Sequence, residues 1–176
     1  DNVSGTDALV RHVYEMCHRR IAFIHGEHTA VTENRLIGFY RACEALEVEM
    51  PEEYVIEGVY HDPDRGGELT RALLELPEPP TCILLPDDFS AIGGLNAIQK
   101  MGLRVPEDVS VTGYDGIHLA NVIHPRLTTY YQDTDVLGRT AASKLIELIE
   151  KPRTALPDRF LIPGALREGR SVLRLV

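Results

Sequence analysis

The sequence predicts an α/β fold built on a doubly wound parallel sheet, and three observations predict it. Short apolar runs of strand length alternate with stripes of helical period along most of the chain. Glycine and proline mark nearly every change of period. The run from 102 to 115, GLRVPEDVSVTGYD, carries the chain from a helix end through a buried strand to an acid. Gly102 stops the helix, Pro106 bars its continuation, and Val109-Ser110-Val111-Thr112 has the β-rich character of a strand that is expected to end at Gly113. Asp115 follows at the carboxyl edge, where open α/β sheets hold their ligands.

In chain order, Leu9, Val13 and Met16 recur at helical spacing from Ser4 to Cys17, with Ser4 or Asp7 available as the cap. Ile21 to Ile24 is a continuous apolar strand ending at His25-Gly26. A loop from Glu27 to Glu33 leads to a helix striped by Leu36, Phe39, Tyr40, Cys43 and Leu46, closed by Pro51. A second strand lies within Tyr54 to Tyr60, and Gly66-Gly67 reads as a turn into a helix carrying Leu69, Ala72, Leu73 and Leu76. Cys82 to Leu85 is the third strand, and Ser90 to Met101 the helix that delivers the chain to the strand at Val109. Strands and helices alternating at this spacing imply parallel pairing through right-handed crossovers.

Beyond Asp115 the residues from Ile117 to Arg126 have no clean period, and Leu127 to Tyr131 resembles another strand. Asp133 to Asp135 can cap a helix to about Glu150 with Leu137, Ala141, Leu145 and Leu148 on one face. Pro152 to Pro157 reads as a linker and Phe160-Leu161-Ile162 as a last short strand.

A chain of 176 residues with 44% apolar and 26% charged residues can bury a full core. Its 18 basic against 27 acidic residues, a formal net of -9, exclude the basic surface that non-specific phosphate binding needs. Cys17, Cys43 and Cys82 are far apart and fall in helix or strand patterns, so they read as reduced core residues of a cytosolic protein. No apolar run is long enough for a membrane span. The start at Asp1 without methionine suggests a segment of something longer.

The strand ends gather polar groups on one rim: Gly26 with Glu27, Tyr60 with His61, Asp87 with Asp88, and Tyr114 with Asp115. Carboxylates suit sugar recognition because they accept hydroxyl protons, while an arginine fork such as that of Arg35 donates to the same hydroxyls. Each residue has a plainer reading. Asp115 can cap a turn, Asp88 can cap the helix at Ser90, Asp87 stands between both roles, Arg35 can form a surface ion pair, and Tyr60 can be core. Catalytic patterns are missing: the seven histidines make no H-E-x-x-H pair, and no G-x-S-x-G, Walker or dinucleotide sequence occurs, so neither enzyme nor cofactor is implied.

The 102–115 run, together with DNVSG, HRRIAFIHG, RLIGF, PPTCILLPDDFSAIGGL, PRLTTYYQD and LGRTAASKLIELI in this order, closely resembles the effector-binding domain of the lactose-repressor/galactose-repressor family of bacterial transcription regulators. The resemblance runs from Asp1 to about Ser171. It implies a periplasmic-binding-protein-like fold of type I, with two α/β lobes around a ligand cleft and a hinge crossed three times, here near His18, Tyr131-Gln132 and Lys151 to Pro157. On that basis residues 1–17 would end the amino-terminal lobe, 18–131 would form the carboxyl-terminal lobe, 132–151 would be a return helix of the first lobe, and 152–176 would add final strands and tail. Two helices would then lack the sheet they should cover.

The resemblance also implies effector contacts at Asp1, Arg35, Tyr60, Asp87, Asp115 and Gln132. The family usually places asparagine before aspartate where this chain has Asp87-Asp88, and several acids in one cleft favour a neutral sugar over an anionic effector. The implied protein is a cytoplasmic homodimer, with operator DNA bound only through an amino-terminal headpiece outside this chain. Rival readings are a periplasmic sugar-binding protein of a transporter and an α/β enzyme acting on a sugar.

Overall fold

The computed structural model describes residues 1–153, 157 and 159–176. Five parallel strands and one antiparallel edge strand form a single sheet of order β2-β1-β3-β4-β5-β6, with β1 Ile21–His25, β2 Val55–Glu57, β3 Cys82–Leu84, β4 Ser110–Asp115, β5 Thr128–Tyr131 and β6 Ala165–Arg167. Among the described residues the α-helices are α1 Asn2–Glu15, α2 Ala30–Ala45, α3 Pro63–Leu74, α4 Asp88–Lys100 and α5 Thr134–Glu150. Strand order reverses between β1 and β3, which puts the topological switch point at the ends marked by Gly26 and Pro86.

The continuous apolar runs make sense because the sheet is covered on both faces. Phe23, Cys82, Leu84, Tyr114 and Tyr130 meet α1 and α2 through Leu9, Val10, Val13, Phe39 and Cys43. Ala22, Ile24, Ile83, Leu85, Val111 and Leu127 meet the other layer through Leu73, Ala91 and Ile98. Period-2 alternation assigns neighbours in each strand to opposite cores. Gly66 and Gly67 lie inside α3, not at its entry, because a β-carbon at Gly66 would strike the backbone of Ser90 as α3 and α4 close on each other.

Several expectations are corrected. The α1 stripe is not left without a sheet: Leu9, Val10 and Val13 are buried against α2 and the sheet, so residues 1–17 pack in the same body as the strands. His18, where a crossing was expected, has a buried ring hydrogen bonded to the Thr81 hydroxyl (2.9 Å) and the Leu173 carbonyl (3.0 Å). Cys17 is exposed, whereas Cys43 and Cys82 are core. Phe160-Leu161-Ile162 forms no strand; the edge strand is Ala165–Arg167, paired antiparallel to β5. Within the 152–157 linker, residues 154–156 lie outside those described. No described helix is long and apolar enough to cross a membrane.

Candidate functional site

The carboxyl ends of β1, β3 and β4, with the starts of α1 and α2, converge on Arg35. Thr29 caps α2, its hydroxyl accepting from the Thr32 amide (3.2 Å), and so places Arg35 in the second helical turn, facing the sheet edge. Arg35 is only 4% exposed. A buried guanidinium needs partners for its donors, and it has them. Nε donates to Asn2 Oδ1 (3.1 Å), Nη1 donates to the Pro86 carbonyl, and Nη2 lies 3.5 Å from Asp115 Oδ1. Its flat face rests on the Tyr114 ring, 3.6 Å from the centroid, with the Tyr60 ring at 5.6 Å. Tyr114 is itself buried, and burial drives its phenol well above the usual range, so it serves as a neutral platform.

Asp115 is the last residue of β4, which runs two residues past the expected end at Gly113. Its backbone lies at φ +103°, a region that costs a non-glycine residue strain, and Gly116 follows at φ +71°. Oδ1 accepts from Gln132 Nε2 (2.6 Å) beside the Arg35 contact, and the Gln132 amide donates to the Asp115 carbonyl (3.0 Å). Among the described residues no donor stands on Oδ2, and the side chain keeps partial exposure. Tyr60 packs its ring against Gly26, where a β-carbon would strike it, and its hydroxyl pairs with that of Thr32 (2.9 Å). Asp115, Arg35, Gln132 and Tyr60 are thus brought together as expected residues of one rim.

Asp1 and Asp87 both serve as helix caps, and Asp1 also lines a hollow beside Gln132. Asp1 caps α1, its carboxylate accepting from the Ser4 amide (3.0 Å) and hydroxyl (2.8 Å), the role expected of Ser4 or Asp7. Asp87, not Asp88, caps α4: one oxygen accepts from the Ser90 amide (2.9 Å), the other from the Ser90 hydroxyl (3.0 Å) and the His61 amide (2.8 Å). An acid with no exposed surface, already taking three donors, is engaged inside the protein, where it holds the Tyr60-His61 loop. Asp88 is also fully buried, accepting from the Thr129 hydroxyl (2.6 Å) and the Ile117 amide (2.8 Å). Burial pushes its carboxyl up to about 6, against the pull of the Thr129 and Ile117 donors, with the nearby Asp115 charge adding to the rise.

Sequence reasoning missed Asn2 as the acceptor that orients Arg35, although it stands beside Asp1 in the same block. A hollow of about 240 Å³ opens beside Gln132, lined by Asp1, Asn2, Tyr130, Leu137, Arg159 and Phe160 among others.

Comparison with known proteins agrees with this architecture. The profile of the periplasmic binding protein-like domain matches residues 10–172. The HTH-type transcriptional repressor PurR of Shigella sonnei is 37% identical over 163 residues, which are 92% of this chain and 47% of that protein, so the chain spans about half the length of the curated relatives it matches. Among solved structures, a LacI transcriptional regulator from Bacillus cereus subsp. cytotoxis superposes with a TM-score of 0.94 at 28% identity, covering 100% of this chain and 62% of that one. The regulator CelR in complex with cellobiose gives 0.89 at 31% identity, covering 97% and 52%. The lac repressor dimer bound to operator and the anti-inducer ONPF gives 0.89 at 30% identity, covering 98% and 59%.

Proposed function

The chain belongs to the lactose-repressor/galactose-repressor family, as part of its periplasmic-binding-protein-like effector domain, and from that premise we propose that it forms one wall of a cleft that senses a neutral sugar. The observation that carries the sugar is Oδ2 of Asp115, which takes no donor among the described residues, an acceptor on the switch-point rim whose partner oxygen is already fixed by Gln132 and Arg35. A ligand hydroxyl donates to Oδ2, and Tyr60 offers an aromatic edge beside it. Arg35 is committed to Asn2, Pro86, Asp115 and Tyr114, so its own guanidinium is not available to a phosphate, and the cation on the lining of the hollow beside Gln132 is Arg159. The hollow beside Gln132 is below the usual range of about 300–1,000 Å³ for small-molecule sites, which fits one wall of a cleft better than a whole pocket.

The second wall is an amino-terminal lobe, and the full protein is a cytoplasmic homodimer that binds operator DNA through a headpiece preceding that lobe. Sugar binding shifts the dimer between arrangements only by binding one more tightly than the other. PurR and the lac repressor, both regulators of transcription by their names, favour this reading over a transporter's sugar-binding protein.

The test is calorimetric titration of the protein with its amino-terminal lobe present, against cellobiose, ribose, a sugar phosphate and a purine base, with Asp115→Ala in parallel. One neutral sugar is expected to saturate the site, and the substitution to weaken it by about 2 kcal/mol. Binding only of the phosphate or purine, or sugar binding that ignores the loss of Asp115, overturns the proposal.

A further inference from the structure

We propose that Asp88 is a positioning residue that sets the pose of Asp115 from behind the sheet edge. Its importance for ligand recognition rests on the reading of Asp115 as the sugar's contact, but the positioning itself does not. Asp88 is the first residue of α4 and is held there by the Asp87 cap. Its side chain reaches across β4 through a slot kept open by Gly113, where a β-carbon would collide with Asp88 Oδ1. At the far end Oδ1 takes the Thr129 hydroxyl of β5 (2.6 Å), and Oδ2 takes the amide of Ile117, two residues beyond Asp115 (2.8 Å).

The turn it holds is the strained one. Asp115 at φ +103° and Gly116 at φ +71° reverse the chain directly after the strand, a geometry that persists only where surrounding contacts over-determine it. On the near side those contacts are the Gln132 amide and side chain. On the far side the contact is Asp88. An acid with no exposed surface, raised to about 6 by burial yet given two donors, is a costly way to fill a core slot. Holding the Asp115 turn accounts for that cost. It also accounts for a glycine inside β4 at Gly113, which has no positive φ to require it.

The experiment uses the full chain without ligand. Hydrogen exchange is followed at Gly116 and Ile117, and the Gln132 side-chain amide is followed by NMR as the reporter of its bond to Asp115. In Asp88→Ala, exchange at Ile117 is expected to rise at least about tenfold and the Gln132 amide to lose its protected signal, while amides of β1 and β3 stay protected. Asp88→Asn retains an acceptor for Ile117 and a donor toward Thr129, and is expected to stay within about threefold of wild type at both sites. A Gln132 signal unchanged in Asp88→Ala overturns the proposal, as does an asparagine variant as disturbed as the alanine one. Should Asp88→Ala fail to fold, Ile117→Pro replaces it, compared with Ile117→Ala: Ile117 has φ -61°, which proline accepts, and the proline deletes the tethered N–H while the alanine variant accounts for the loss of the side chain packed on the core. Loss of the Gln132 signal in the proline variant alone supports the tether, and its persistence there, or its loss in both, overturns it.

Discussion

Helices α1 and α5 carry the same kind of stripe and meet opposite fates. In α1 Leu9, Val10 and Val13 are buried between α2 and the sheet, whereas α5 has no buried residue and exposes Leu137, Leu145, Ile146, Leu148 and Ile149. Helical period in the sequence shows that a helix has an apolar face; it does not show which surface the face meets. The lobe boundary drawn from the resemblance placed both helices outside this body, and only α5 stands apart. A contiguous exposed apolar strip of this kind marks a surface with a partner.

The sharpest way to break the comparison is to remove a buried α1 side chain. Leu9, 2% exposed, is expected to cost about 3 kcal/mol on replacement by alanine, from lost transfer energy and an unfilled cavity. Urea denaturation measures it. A cost below about 1 kcal/mol would mean that α1 docks loosely and belongs with α5.

Five of the six strands were legible: β1 and β3, buried on both faces, are written as unbroken apolar runs, and β2, β4 and β5 as short stretches rich in β-branched and aromatic residues. The sixth was not. Ala165, Leu166 and Arg167 form an edge strand of which only Leu166 packs inward, so its sequence carries no apolar run, while the more apolar Phe160-Leu161-Ile162 stays unpaired. At the site, Arg35, Tyr60, Asp115 and Gln132 could be read because they stand at helix starts and strand ends. The roles of Asp87 and Asp88 could not: one residue of helical phase decides which neighbour caps α4 and which crosses β4 to Ile117, 29 positions away. Gly113 misled for a related reason, since it looks like a strand stop and is a slot for the Asp88 side chain.

A second, smaller effect sharpens the claim that the α1 junction is built into this body. His18 follows α1 and joins Thr81 to Leu173. Burial holds its imidazole below the ordinary value, the Leu173 carbonyl pulling the other way. The folded protein therefore keeps His18 neutral where the unfolded chain, titrating near about 6.5, takes up a proton. Stability is fully present above that pH and falls as pH drops through it, until the depressed folded value is passed. Thermal melts of wild type and His18→Gln between pH 8 and 5 on the order of half-unit steps isolate this residue from the other histidines. The wild type is expected to lose more stability on acidification than the variant. Parallel curves would place His18 outside the core contacts that secure α1.

The smallest expected effect lies on α5. Ile149 is 69% exposed, so its replacement by serine removes little buried apolar surface, and the change is expected to stay within about 0.5 kcal/mol. Serine has only a slightly different helix propensity from isoleucine, so the helix itself does not confound the result. Urea midpoints taken at two protein concentrations, tenfold apart on the order of micromolar, separate the two origins of a larger cost. A cost of more than about 1 kcal/mol that grows with concentration would mean that a second copy covers the α5 face. A cost of that size at both concentrations would mean that α5 packs within the chain, and the contrast with α1 would disappear. A null result at both leaves the strip free for the amino-terminal lobe, whose addition is then expected to make the same substitution costly.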